Sequence, residues 1–215
     1  MTMDLKQALA GKFKGDLADD SASREAASRD TSLFVRMPSL VAFPKDADDV
    51  AELVKAVRAA KDAGEEVSLT ARSAGTDMSG GPLTTSVVAS FTKYMNRVET
   101  VEKTTEGGFA VTEPGVFYRD FEKATMAKNL ILPSYPASRS ICAMGGIVNN
   151  NSGGERTLEY GKTEKYVEEV DVTELEALRA LLNARWSAIA GSTYQRIIRR
   201  STDLTGPTLP AIGRS

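Results

Sequence analysis

Apolar positions recur with a readable period over the middle of the chain. Leu40, Val41, Ala42 and Phe43 form a short apolar run between Pro38 and Pro44, which predicts a strand. Asp46, Asp48 and Asp49 follow, acids placed where a helix start is stabilised by its partial positive charge. Val50, Leu53, Val54 and Val57 then recur at i, i+3, i+4 and i+7, and Gly64 stands where a C-terminal cap belongs, so the spacing predicts a helix. Val67 to Thr70 reads as the next strand, which makes residues 40–70 a strand-helix-strand unit whose two strands are expected to be parallel and adjacent. Val87 to Phe91 predicts a further strand, and Val98 and Val101 another. Gly107 and Gly108 are expected to form a turn, with 109–114 as the hairpin partner. Pro114-Gly115 opens a helix with Phe117, Phe121 and Ala124 on one face, after which Leu130, Ile131 and Leu132 run into Pro133.

The two ends are patterned differently. Residues 1–36 scatter Leu5, Leu9, Phe13 and Leu17 amid charge, and read as an N-terminal arm with one helix. From Thr173, which has capping-box spacing to Glu176, the residues Leu175, Leu178, Leu182, Trp186 and Ile189 make a helical stripe that ends at Gly191. Tyr194, Ile197 and Ile198 suggest a second short helix before an irregular, Pro-containing end, so 173–215 reads as a helical tail.

Composition narrows the class. With 215 residues, 41% of them hydrophobic and 26% charged, the chain is of ordinary globular make-up. A chain of this length buries roughly 70% of the surface its unfolded form exposes and needs no disulfide staple; its single cysteine, Cys142, allows no internal one. A balance of 27 basic against 29 acidic residues gives no electrostatic footprint for nucleic acid, and Arg196, Arg199 and Arg200 read as a solvated basic face. Histidine is absent, which removes the commonest general base, the commonest metal ligand and every Ser-His-Asp or Cys-His nucleophile system; no metal site is expected. Nothing approaches 18 consecutive apolar residues and the first thirty residues hold no signal-like apolar core, so neither membrane insertion nor export is expected and the cytoplasm is the expected compartment.

Two glycine-rich stretches carry the candidate chemistry. The first, Arg72-Ser73-Ala74-Gly75-Thr76-Asp77-Met78-Ser79-Gly80-Gly81, follows a strand of the strand-helix-strand unit, where ligands of such sheets sit. Small residues there let backbone N–H groups converge on an anion. Neither a Walker loop nor a Gly-x-Gly-x-x-Gly fingerprint is present. The second stretch runs from Pro133 through Pro136-Ala137-Ser138 and Met144-Gly145-Gly146 to Asn149-Asn150-Asn151, Gly153-Gly154 and Tyr160-Gly161. It combines amide-rich, bare backbone with Ile141, Met144, Ile147 and Val148, which call for burial, a mixture that suits a flat polar ligand better than a solvated loop.

Taken in order, Arg72-x-x-Gly75-Thr76-x-x-Ser79-Gly80, Pro136-Ala137-Ser138, Gly145-Gly146, Asn150-Asn151, Gly153 and Tyr160-Gly161 resemble the PCMH-type FAD-binding domain of the vanillyl-alcohol oxidase superfamily, within it the branch of D-lactate, glycolate and D-2-hydroxyglutarate dehydrogenases. The resemblance spans about residues 36–172. It implies an α+β fold, a PCMH-type domain over 37–172 made of two α/β subdomains (about 37–91 and 92–172) with FAD between them, incomplete on its C-terminal side. It also implies that Arg72, Ser73, Ala74, Gly75, Thr76, Ser79 and Gly80 cradle the pyrophosphate. Pro136 and Ser138 would lie near the flavin, and Gly145, Gly146, Asn150 and Asn151 along the dinucleotide. Gly153 and Tyr160 would also contact it, and Gly115 and Gly161 would let the backbone pass close. The implied activity is oxidation of a 2-hydroxy acid or similar alcohol by hydride transfer to flavin, with a non-catalytic flavin or nucleotide-binding module, or a truncated fragment lacking the substrate cap domain, as the alternative.

Four departures shape these expectations. Ser73 and Ala74 stand where relatives often have glycines. Asp77 replaces a small hydroxyl residue, and a carboxylate about 4 Å from a phosphate costs about 4 kcal/mol at an effective dielectric near 20, so Asp77 must turn away or bind through a cation or water. Without histidine, and with Cys142 only three residues before Gly145, no covalent tether matches, and noncovalent FAD is expected, with Cys142 a small buried hydrophobe. Finally, the strand expected near Val167 runs directly into Thr173 in place of a substrate-binding cap, leaving no catalytic residue to name. A missing sheet edge leaves room for a homodimer or a partner chain that supplies the cap. Arg139 is a charged neighbour of the second stretch, and Tyr135 and Tyr160 are either flavin-stacking or structural.

Overall fold

The computed structural model describes residues 5–105 and 107–170. Its first half is a four-stranded sheet in the order β1-β2-β4-β3, built from β1 (Asp16–Ala18), β2 (Leu40–Phe43), β3 (Leu69–Arg72) and β4 (Val87–Ser90). Leu40 and Ala42 face α3 (Ala47–Asp62), packing with Val50, Leu53 and Val57, while Val41 faces α2 (Ser21–Ala27) with Ala27 and Val88. Cover on both faces explains why β2 reads as a continuous apolar run. Leu53, Val50, Val41 and Val88 are at most 1% exposed, and each such burial contributes about 1.5–3 kcal/mol. The helix start is as the acids predict: the Asp46 carboxylate accepts the Asp49 N–H at 3.0 Å. Asp49 itself is fully buried and accepts the N–H groups of Lys14 (2.7 Å) and Lys45 (2.9 Å), tying the N-terminal segment to the helix.

Two expectations need correction here. β2 and β3 are parallel but not adjacent, because β4 lies between them, with Leu40 and Leu69 both in register with Val87. All four residues of β4 are buried whereas β3 is half-exposed, so the strand with two apolar faces takes the centre and β3 takes the edge. The segment 1–36 holds two described helices, not one: α1 (Leu5–Leu9) packs Leu9 into the core, and α2 is capped by Asp20, whose side chain accepts the Ser23 N–H at 2.9 Å. Between them β1 adds antiparallel to β2.

The second half starts with an antiparallel hairpin, β5 (Val98–Thr104) and β6 (Gly107–Thr112). Gly107 and Gly108 belong to β6 and not to the turn. A Cβ on Gly108 would stand 2.4 Å from Leu130 Cδ1, so the bare position is a packing requirement. The next helix, α4 (Tyr118–Met126), starts three residues after Gly115 because Gly115 is pinned by its N–H to the Met95 carbonyl at 2.8 Å. Its buried face is Tyr118, Phe121 and Thr125, displacing the expected Phe117 and Ala124. Short helices α5 (Met144–Asn149) and α6 (Thr157–Tyr160) and a 3-10 turn (Thr163–Tyr166) complete this half around a core of Tyr118, Phe121, Met144, Ile147 and Tyr166. No strand forms from Val167 to Val170. The tail features, Trp186 and its stripe and the Arg196, Arg199 and Arg200 cluster, lie outside the described residues. Among the described residues no helix is long and apolar enough to cross a membrane, and no cluster of metal-ligating side chains occurs.

Candidate functional site

A cleft of about 720 Å³ opens between the two halves. One lip is the glycine-rich chain after β3, the other the chain from Pro136 through α5. They meet at one carbonyl: Pro114 O accepts both the Ser73 hydroxyl and the Gly145 N–H, each at 2.8 Å. A Cβ on Gly145 would lie 2.7 Å from Ser73 Oγ and 2.8 Å from Pro114 O, so the approach of the lips requires glycine there. Gly146 is the converse case. A Cβ on it would meet nothing within 4 Å, and Gly146 lines the cleft.

Of the expected cofactor contacts, Ser73, Ala74, Gly75 and Thr76 line the cleft from the first lip and Pro136, Ser138, Gly145, Gly146 and Asn150 from the second. The others stand off the wall. Arg72 is not a wall residue: it donates Nη2 to the Arg29 carbonyl at 2.6 Å and lies across Gly75, which has a φ of +68° and no space for a Cβ beside the guanidinium. Burial lowers the basicity of its guanidinium against the attraction of Asp30, and Arg72 Nη1 and Asp30 Oδ2 are buried without partners. Gly80, with φ +83°, faces Phe34. Gly115 packs against the backbone of Phe91 and Met95. Asn151 spends its whole amide on Glu164, donating to the carboxylate at 2.7 Å and accepting the Glu164 N–H at 2.9 Å. Gly153 lies against Thr157, Gly161 against Lys165, and the Tyr160 carbonyl accepts the Tyr166 hydroxyl at 2.7 Å.

Asp77 resolves as the charge argument requires. Its Oδ2 turns back onto its own loop, accepting the Ser79 hydroxyl at 2.6 Å and the Gly81 N–H at 2.7 Å. Burial pushes this carboxyl up, but the bonds from Ser79 and Gly81 outweigh it and hold it below the ordinary carboxylate range, so it is ionised at neutral pH. The loop is held from behind by Thr31, which donates its N–H to the Asp77 carbonyl at 3.1 Å and its hydroxyl to the same carbonyl at 2.9 Å. Cys142 is buried as expected, and it also lines the cleft; burial pushes its thiol up, against a weaker lowering by Ser138, so it stays protonated.

Sequence reasoning missed Asn149, Ser152, Phe91, Pro114 and Ile147 as wall residues. Asn149 and Ser152 sit inside the amide-rich run and were recoverable from its composition. Pro114 and Phe91 are wall residues only because the sheet and the hairpin meet there, which no local pattern signals. Tyr135 is structural: it is buried in the second core, donates its hydroxyl to Glu155 Oε1 at 2.9 Å, and carries Arg139 over its ring at 4.8 Å.

Known proteins match this arrangement. The family described as FAD binding domain matches residues 38–176. The glycolate oxidase subunit GlcD of Bacillus subtilis is 33% identical over 171 residues, 78% of this chain and 35% of that protein. A D-2-hydroxyglutarate dehydrogenase of Pseudomonas putida is 28% identical over 158 residues, 74% of this chain and 15% of that protein. The solved structure of an alkyldihydroxyacetonephosphate synthase shares the fold with a TM-score of 0.71 at 19% identity, covering 92% of this chain and 43% of that one. The chain therefore spans about a third or less of the length of these two curated relatives. With the family match running from β2 past the second lip, so that it includes every residue that lines the cleft, this chain belongs to the FAD binding domain family.

Proposed function

We propose that the chain is the FAD-holding part of an oxidoreductase that oxidises a 2-hydroxy acid or similar alcohol, with FAD bound noncovalently. The observation that carries the reading is the junction at Pro114 O, which sets two separate stretches of bare backbone along one cleft. The residues present fit the group: Gly146 offers open space where any side chain would project, and grips made of backbone N–H groups need no basic side chain. In this reading the first lip, 73–81, binds the phosphates, Pro136 and Ser138 lie beside the flavin, and Gly146 and Asn150 follow the dinucleotide. Bound flavin supplies a hydride acceptor, while the protein supplies position and electrostatics. A noncovalent link is favoured by the absence of histidine and by the protonated Cys142 thiol, which is no nucleophile in that form.

The described wall carries no acid–base couple: Asp77 is committed to its own loop and Cys142 is protonated. That observation favours a second reading, in which these residues bind flavin and turnover needs groups from elsewhere. An absorbance spectrum of the purified chain with a mass of the cofactor released by acid tests the first proposal; flavin bands and the mass of FAD are expected, and a folded chain that neither retains nor takes up FAD contradicts it. Anaerobic addition of a 2-hydroxy acid separates the readings, since bleaching is expected of the enzyme and a persistent spectrum of the module.

A further inference from the structure

Among the described residues that line the cleft, Asp77 is the only one with a charged side chain, and the charge is negative. Its carboxylate gathers two donors of the first lip on one oxygen, the Ser79 hydroxyl at 2.6 Å and the backbone N–H of Gly81, itself a wall residue, at 2.7 Å. Convergent donors around a single oxygen are what an anion site offers. The basic side chain nearest in sequence, Arg72, is engaged with the Arg29 carbonyl and does not offset the charge at the wall. Thr31 bonds the Asp77 carbonyl and not its carboxylate, so the carboxylate can turn on its own side-chain torsions without breaking those bonds.

Resting on the FAD reading above, we propose that Asp77 is an internal competitor for the cofactor's phosphates: its carboxylate occupies the Ser79 and Gly81 donors, and FAD loads only as the carboxylate gives them up. Two anions do not share one set of donors, because each repels the other at contact distance. The loop is thereby kept ordered without ligand, and affinity for phosphate-bearing ligands is held below what the backbone alone would give. A ligand without phosphate does not sense the competition.

The test is a titration of the full chain with FAD and with riboflavin, followed by flavin fluorescence, for the wild type, Asp77→Asn and Asp77→Ser. Asparagine keeps the size and an acceptor for Ser79 and Gly81 but loses the charge; serine frees the donors outright. The expected result is an FAD Kd at least tenfold lower in both variants. Unchanged or weaker FAD binding by Asp77→Asn overturns the proposal, as does a riboflavin affinity that rises by the same factor. Wild-type binding that depends on Mg²⁺ and is lost in Asp77→Asn also overturns it, by making Asp77 a cation ligand. Uptake of FAD with equal Kd in all three proteins overturns this inference alone, whereas no uptake by any of them overturns the FAD reading with it.

Discussion

The two lips of the cleft reach their shapes by different physics. The second is held by burial: Met144, Ile147 and Cys142 sink into the core around Tyr118, and the bare Gly145 is pressed against Pro114. The first is held by polar bonds at a half-exposed surface, from Thr31 behind it and from Asp77 within it. Burial fixes a backbone firmly because moving it opens a cavity. Hydrogen bonds at a wet surface fix it weakly because water replaces them. The difference implies a rigid platform facing an adjustable clasp, which suits a cleft whose ligand has to enter and leave.

The contrast predicts a graded set of responses. The largest belongs to Ile147→Ala, which empties a side chain 1% exposed in the second core and should cost about 2–5 kcal/mol, a fall in Tm on the order of 5–15 °C by calorimetry. Gly145→Val should follow, because its Cβ meets Pro114 O and Ser73 Oγ below 3 Å; a loss of about 1–3 kcal/mol is expected, with weakened FAD binding as the lips part. Thr31→Val removes the hydroxyl donated to Asp77 O and should cost about 0.5–1.5 kcal/mol. Its Tm change should be the smaller of the lip variants and its effect on FAD affinity severalfold. A Thr31→Val loss as large as that of Ile147→Ala would erase the contrast.

The smallest effect lies away from the cleft. Burial pushes the Asp46 carboxyl up, but Lys14 and the Asp49 N–H outweigh it and hold the pKa below the ordinary range. Its charge therefore contributes stability above about pH 4, lost as pH falls through the lowered pKa. Asp46→Asn keeps an N-cap acceptor and should cost only about 0.3–1 kcal/mol at pH 7. The Tm difference from wild type should shrink as the pH falls through the lowered pKa and the wild-type carboxylate protonates; a difference that grows with acidification would contradict it.

Much of this was legible before any coordinates. Asp46, the Val50-Leu53-Val57 stripe and Gly64 specify α3 because cap, period and stop agree at one place. That both stretches line one cleft was expected from the family resemblance, supported by the second stretch, whose amide-rich backbone combined with buried apolar residues is rare in solvated loops. The position of β4 between β2 and β3 was not legible, since periodicity reports burial and not partner order. Nor was α5, where glycine signals loop while burial of Met144 and Ile147 decides the helix. The polar side chains were the least legible of all: Arg72, Asn151 and Ser79 look like ligand contacts by type, yet Asn151 and Ser79 bond to Glu164 and Asp77 and Arg72 gives Nη2 to the Arg29 carbonyl, and only geometry distinguishes the two uses.

The central claim, that both lips grip one flavin dinucleotide, is tested most directly at Gly146, a wall residue of the cleft where an added Cβ would meet no protein atom within 4 Å. FAD titration and a thermal melt of Gly146→Val beside the wild type give the answer. The account predicts a Kd at least a hundredfold weaker, about 2.7 kcal/mol, with Tm within a few degrees. Wild-type affinity in a folded Gly146→Val protein would place the dinucleotide elsewhere.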